Sequence, residues 1–171
     1  TDALTGLSNR QKFQTLLRHE LKRLARYGDD LPHLALAFID LDNFKYYNDN
    51  FGHDTGDNLL RWFADLLREN LRDFDVACRW GGDEFLVVIE NIQMDLAKAI
   101  AESIRLGISK ERIVISNMDE AIQVSVSIGV AIGARSWLEL LEKADHLRNL
   151  RQPGNPGLKN FHQLGIRGLR I

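Results

Sequence analysis

An α+β fold is predicted for this chain: a mixed β-sheet surrounded by helices, with a β-hairpin at its centre. Three observations predict it. "HLALAFIDLD" (33–42) is apolar almost without a break, as in a strand buried on both faces. "DVACRW" and "EFLVVIE" flank Gly81-Gly82-Asp83, the pattern of two antiparallel strands joined by a tight turn. Segments with helical spacing surround them, giving the order α-β-α-α-β-β-α-β-α.

Ser8 or Asn9 is placed to cap a first helix running to about Tyr27, with Phe13, Leu16, Leu17, Leu21 and Leu24 on one face. Gly28-Asp29-Asp30 ends it. A short helix is expected over 43–50, then "FGHDTGD" (51–57) as a loop, then a helix over 58–70. The hairpin glycines are expected to supply positive φ angles. An amphipathic helix over 93–109 precedes "IQVSVSIGVAIG" (122–133), whose start alternates as a strand does. Ser136 then caps a last helix ending near Leu150.

A length of 171 residues suits one domain with a sizeable core. The net charge of −2 gives no global pull toward nucleic acid or anionic membranes. Cys78 is the single cysteine, which excludes an internal disulfide and suits a reducing cytosol. The apolar runs are too short to span a bilayer, and no signal-peptide pattern opens the chain. "TDALTGLSNR" starts as a domain cut from a longer protein would, so a cytoplasmic domain with a sensory or regulatory segment upstream is expected.

The chemistry concentrates at strand ends. Along "FIDLDNFKYYND", Asp40 and Asp42 point the same way while Leu41 points into the core. Acids leaving an apolar strand are costly unless solvated, hydrogen-bonded or bound to cations. If the hairpin neighbours this strand, Asp83 or Glu84 sits opposite Asp40, and the carboxylates form a hard-oxygen site suited to Mg²⁺ with a phosphate completing its shell. Simple solvation of the acids is the plainer alternative. Asn48, Asp49, His53, Asp54 and Asp57 crowd the next stretch. Asn and Asp side chains can read a guanine edge, but cap and turn chemistry is the better reading of Asn50, Asp54 and Gly56 taken alone. Arg72 and Asp75 stand before the hairpin, with Arg79 further along. They read either as a surface ion pair or as an anion or guanine clamp.

Together these segments resemble the GGDEF-type diguanylate cyclase domain. The likeness runs from "DALTGLSNRQKF" through "FIDLDNFKYYNDNFGHDTGD", "RWGGDEF" and "VSVSIGV" to Ala144-Asp145, most of the chain. The resemblance implies an adenylate-cyclase or polymerase-palm-like fold, and the joining of two GTP into cyclic di-GMP with release of two pyrophosphates. It implies that Asp40, Asp83 and the Leu41 carbonyl hold Mg²⁺, or Mn²⁺ in its place, with Glu84 near the reacting 3′-hydroxyl or the metals. Asn48 and Asp57 match guanine-reading positions, Phe44 and Lys45 the phosphate side, and Gly81 and Gly82 let the backbone approach the nucleotide. Arg72 and Asp75, with Arg79, match a site at which the product inhibits. One domain holds one GTP, so each must meet a second copy in a two-fold dimer.

The tail departs from the resemblance. After Ala144-Asp145 the family pattern A-L-Y-x-A-K-x-x-G-R/K-N continues a helix whose lysine and next basic residue grip the triphosphate, followed by a final strand. Here Arg151 or Gln152 takes the lysine position, and Pro153 and Pro156, with Gly154 and Gly157, forbid a continued helix. Leu150–Phe161 can be encoded so that restoring one G in front yields AKAAGKSRIEKF, the tail the resemblance implies. A frameshift is therefore one reading of 151–171, set apart from a domain at 1–150, and natural divergence the other. A lost last strand would expose a sheet edge. With its triphosphate clamp altered, the domain could instead be an impaired module that binds GTP or cyclic di-GMP. A purely structural dimerisation role leaves the polar clusters unexplained.

Overall fold

The computed structural model of the protein describes residues 1–24, 34–90, 94–110, 113–114, 121–132, 137–149 and 168–170. Its elements are β1 (Ser8–Asn9), α1 (Arg10–Leu24), β2 (Ala35–Leu41), α2 (Phe44–Phe51), α3 (His53–Asn70), β3 (Val76–Arg79) and β4 (Glu84–Ile89). They continue as α4 (Met94–Lys110), β5 (Ile113–Val114), β6 (Ala121–Ile122), β7 (Val126–Ile132), α5 (Trp137–Asn149) and β8 (Gly168–Arg170). Gly28-Asp29-Asp30, Ser136 and residues 151–167, on which the sequence reading relied for a helix end, a cap and the altered tail, lie outside the described residues.

The sheet is mixed, in the order β1-β3-β4-β2-β7-β8, and β5-β6 form a separate two-stranded ribbon. β2 pairs antiparallel with both β4 and β7, and β1 pairs parallel with β3. A core packs on each face of the sheet at β2, which is why its sequence is nearly unbroken in apolar residues. Alternation sorts those residues between two cores. Ala35, Ala37, Ile39 and Leu41 join Phe85, Val87 and Ile89 beneath α3 and α4, around Phe63, Leu67, Ala101 and Ile104. Leu36 and Phe38 join Leu86 and Val88 beneath α1 and α5, around Phe13, Leu17, Leu140 and Ala144. Each such leucine or phenylalanine contributes about 1.5–3 kcal/mol by leaving water. Asp40, next in the even-numbered series after Phe38, therefore faces the α1/α5 side.

The strands and helices read from the sequence are present, and the differences are local. Asn9, rather than Ser8, caps α1: its Oδ1 accepts the Lys12 N–H at 2.9 Å. "FGHDTGD" is not a loop. The turn contracts to Gly52, whose φ of 85° reverses the chain, and α3 begins at His53. Neither hairpin glycine has the positive φ expected of it; among the described glycines only Gly6 and Gly52 do. What Gly81 supplies is space, since a Cβ there would lie 2.8 Å from Glu84 Oε2, and a Cβ on Gly82 would meet nothing within 4 Å. The edge beyond β7 is covered, because Gly168–Arg170 pairs with Gly129–Ala131. Among the described residues no helix is long and apolar enough to cross a membrane.

Cys78 lies on β3 with no exposed surface, and burial pushes its thiol up to about 12. Native protein is expected to resist thiol reagents at neutral pH and to react only on unfolding. Labelling by a chromogenic disulfide reagent should therefore follow the denaturant transition, and fast labelling without denaturant would contradict this burial.

Candidate functional site

The site begins with a register. Antiparallel pairing sets Asp40 on β2 directly opposite Glu84 on β4, and the Leu41 N–H donates to the Asp83 carbonyl at 3.2 Å. Sequence left Asp83 and Glu84 as alternatives for that place; Glu84 takes it, with Asp83 at the hairpin tip beside it. Like charges directly across a sheet repel. Burial pushes the Asp40 carboxyl up to about 6, with the Asp83 charge adding to the rise and Arg148 opposing it. Asp83 is raised as well, again chiefly by burial. The cluster is short of positive charge.

Arg148 supplies some. Its Nη1 donates to Asp40 Oδ2 at 2.8 Å and to Glu84 Oε1 at 2.8 Å, and its Nη2 lies 2.6 Å from Asp145 Oδ1. The guanidinium carbon sits 4.2 Å from the centre of the Phe38 ring, and the residue is 6% exposed. The sequence reading passed over this residue. Its signal was spacing: Leu140, Ala144 and Arg148 follow at intervals of four, so Arg148 continues the buried face of α5.

Asp42 points to the same side as Asp40 but into a different setting. It accepts the Ser125 and Ser127 hydroxyls, each at 2.7 Å, and so ties β2 to β7. Beyond it, Asn43 adopts φ 59° at the start of α2, a conformation asparagine tolerates better than most residues. α2 then packs on α3 through Gly56. A Cβ there would lie 1.9 Å from Asn48 Oδ1 and 3.2 Å from Phe44 Cζ. Asn48 thus rests against the helical turn that carries Asp57, and both are half-buried, whereas Lys45 is exposed. Asn50 does the local work expected of it, its Nδ2 donating to the Tyr46 carbonyl at 2.8 Å.

Arg72 and Asp75 make more than a surface pair. The Asp75 side chain has no exposed area and accepts the Arg72 backbone N–H, Nε and Nη2 at 3.0–3.1 Å. Arg72 Nη2 also donates to the Glu90 carbonyl at 3.0 Å, and its guanidinium lies 4.4 Å from the Phe74 ring centre. Hydrogen bonding to Asp75 pushes the Arg72 pKa further up. Arg79 does not join them. At the far end of β3 it donates to the Gly82 carbonyl at 3.1 and 2.9 Å and pairs with Asp2 at 3.4 Å. The separation follows from strand geometry, since four residues of strand span about 13 Å. Asp2 in turn accepts the Thr5 N–H and hydroxyl, so the opening turn is tied to the hairpin tip.

The carboxylates have the chemistry of a hard-cation site, with oxygen donors and excess negative charge. Among the described residues, no three His, Cys, Asp or Glu side chains converge as a ready metal-binding set. Arg148 already spans two of the acids.

Comparison with known proteins shows the family and the fold. The family described as diguanylate cyclase, GGDEF domain, matches residues 1–155. The chain is similar to the response regulator PleD of Caulobacter vibrioides, at 42% identity over 134 residues, covering 78% of this chain and 29% of that protein. Similarity to the diguanylate cyclase DosC of Escherichia coli is 36% over 146 residues, covering 84% of this chain and 31% of DosC. The chain thus spans about a third of the length of these relatives. Among solved structures, the GGDEF domain of DgcB from Caulobacter crescentus, in complex with c-di-GMP, superposes with a TM-score of 0.82 at 29% identity, covering 87% of each chain.

Two outcomes test the site's physics. A carboxyl raised from 3.8 to about 6 holds a proton that the unfolded chain has lost, so its stabilising contribution is full below about pH 4 and disappears as pH rises through about 6. Asp40→Asn is expected to remove roughly 1–3 kcal/mol of the stability lost between about pH 4 and 7, measured by urea unfolding across that range. Gly56→Ala is expected to force Asn48 aside and to destabilise by about 1–3 kcal/mol. An unchanged denaturation midpoint would refute that contact.

Proposed function

The chain belongs to the GGDEF diguanylate cyclase family, and on that footing we propose that this domain condenses two GTP into cyclic di-GMP as a two-fold dimer. The observation that carries the reading is the cross-strand Asp40–Glu84 pair, with Asp83 at the turn beside it and Asn48 and Asp57 on the adjoining helices. Asp57 accepts the N1–H and N2–H of guanine, and the Asn48 amide completes the edge. Phe44 and Lys45 face the phosphates, and the open space at Gly82 admits the triphosphate close to the backbone. Asp40, Asp83 and the Leu41 carbonyl would hold a divalent cation such as Mg²⁺, which neutralises the triphosphate and favours ionisation of the attacking hydroxyl. Glu84 stands near that hydroxyl and takes up its proton.

In each of two equivalent steps the 3′-oxygen of one GTP bonds to the α-phosphorus of the other. The bond from that phosphorus to the β-phosphate breaks, and pyrophosphate leaves. Because each domain carries one nucleotide, the dimer brings the reacting atoms together, and its formation contributes much of the rate. Arg72 and Asp75 form the product-inhibition site: Asp75 fixes the guanidinium fork, and the partly exposed Arg72 face takes a phosphate or guanine of cyclic di-GMP. Arg79, which the resemblance groups with that site, lies at the far end of β3 and holds the Gly82 carbonyl.

The contact of Arg148 with Asp40 and Glu84 favours a second reading, a GTP-binding or cyclic di-GMP-binding module of low turnover. Concentrated protein incubated with GTP and Mg²⁺, with cyclic di-GMP measured by chromatography, separates the two. The cyclase reading expects product, at least about 100-fold less with Asp83→Ala, and weaker inhibition by cyclic di-GMP with Arg72→Lys. GTP binding without product at concentrations that force dimers would select the binding module.

A further inference from the structure

The strangest charge in the molecule is Arg148. It is buried, lies on α5 rather than on the strands or hairpin that carry the acids, and contacts three carboxylates from three elements: Asp40 of β2, Glu84 of β4 and Asp145 of α5. Nη2 also donates to Asn149 Oδ1 at 3.1 Å. The fit is incomplete, because the buried Arg148 Nε has no hydrogen-bond partner among the described residues, and neither does Asp145 Oδ1 despite its short ionic contact. A guanidinium seated for structure alone would be expected to satisfy its donors in a buried setting. This one lies where the charge is needed and accepts poor geometry to do so.

We propose that Arg148 is a resident counter-ion of the Asp40–Glu84 pair, with which a divalent cation competes. The inference rests on reading those carboxylates as a cation site. Nη1 bridges the two acids through one nitrogen, so a cation that draws on Asp40 Oδ2 or Glu84 Oε1 competes with the guanidinium for the same negative charge. Metal occupancy and the docked arginine then oppose one another, and by linkage each weakens the other by the same factor. Asp83 is not among the arginine's direct contacts and would remain available to a cation. The displaced guanidinium keeps Asp145 and Asn149 on its own helix as partners. The acids are thereby kept from repelling one another in the metal-free domain, at the cost of weaker metal affinity.

The test uses the full chain and Mn²⁺ alone as the probe, titrated without nucleotide and followed by the paramagnetic resonance of the free ion. Wild type is compared with Arg148→Leu and Arg148→Met, the second retaining length over Phe38 should the leucine variant fail to fold. Asp83→Ala serves as the site control. Removal of the arginine is expected to tighten Mn²⁺ binding about 10-fold, with binding lost in the control. Equal affinity in wild type and the folded arginine variants, still lost in Asp83→Ala, overturns the counter-ion role and leaves the cation site standing. Absence of Mn²⁺ binding in every protein overturns the cation site, and the role with it.

Discussion

The burial of Asp40 beside Asp83 and Glu84 is the constraint around which the acidic end of this sheet is organised. The strands that carry them pair residue for residue, so the acids cannot move apart without breaking the sheet. Their backbone register is held by two cores on opposite faces, and that burial is far larger than the cost of one unfavourable pair. The sheet therefore fixes the charges, and the charges must be answered by cations. One positive charge comes from α5, through Arg148.

The neighbouring parts follow from the same strand. Just past its end Asp42 is held by Ser125 and Ser127, which anchors the end of β2 at the sheet while Asn43 turns the chain into α2. Gly52 then folds α2 back on α3, and Gly56 allows Asn48 to lie against that helix. A side chain at Gly52 would strain the turn, and one at Gly56 would displace the Asn48 side chain. On the opposite flank, Asp2 and the Gly82 carbonyl share Arg79, so the first residues of the chain are coupled to the hairpin tip.

Arg72 and Arg79 illustrate how two arginines in one short stretch can have different partners. Asp75 is completely buried under Arg72, which makes their three hydrogen bonds a folded-in feature rather than a flexible surface contact. Charge-assisted bonds of that kind contribute about 1.5–3 kcal/mol each when shielded. Arg79, a strand length away, braces a turn. Composition and spacing grouped the two; only the direction of β3 separates them.

Much was legible in the sequence because the physics was local. An unbroken apolar run identified β2 as doubly buried, the glycine-rich turn between two apolar segments identified the hairpin, and strand alternation sent Asp40 and Asp42 to one side. Ordered motifs pointed to the family. The two-residue strands and β8 were invisible, since two or three residues show no period. The start of α3 was misread because Asp, Thr and Gly at 54–56 signal a loop unless packing against α2 overrides them. Above all, the sequence determined that acids would gather at one end of the sheet, since strand period is a property of the chain itself. Tertiary structure alone decided which acid faces Asp40 and which cation meets them. Register is set between strands, and Arg148 reaches Asp40 across 108 residues of sequence only because α5 packs on that face.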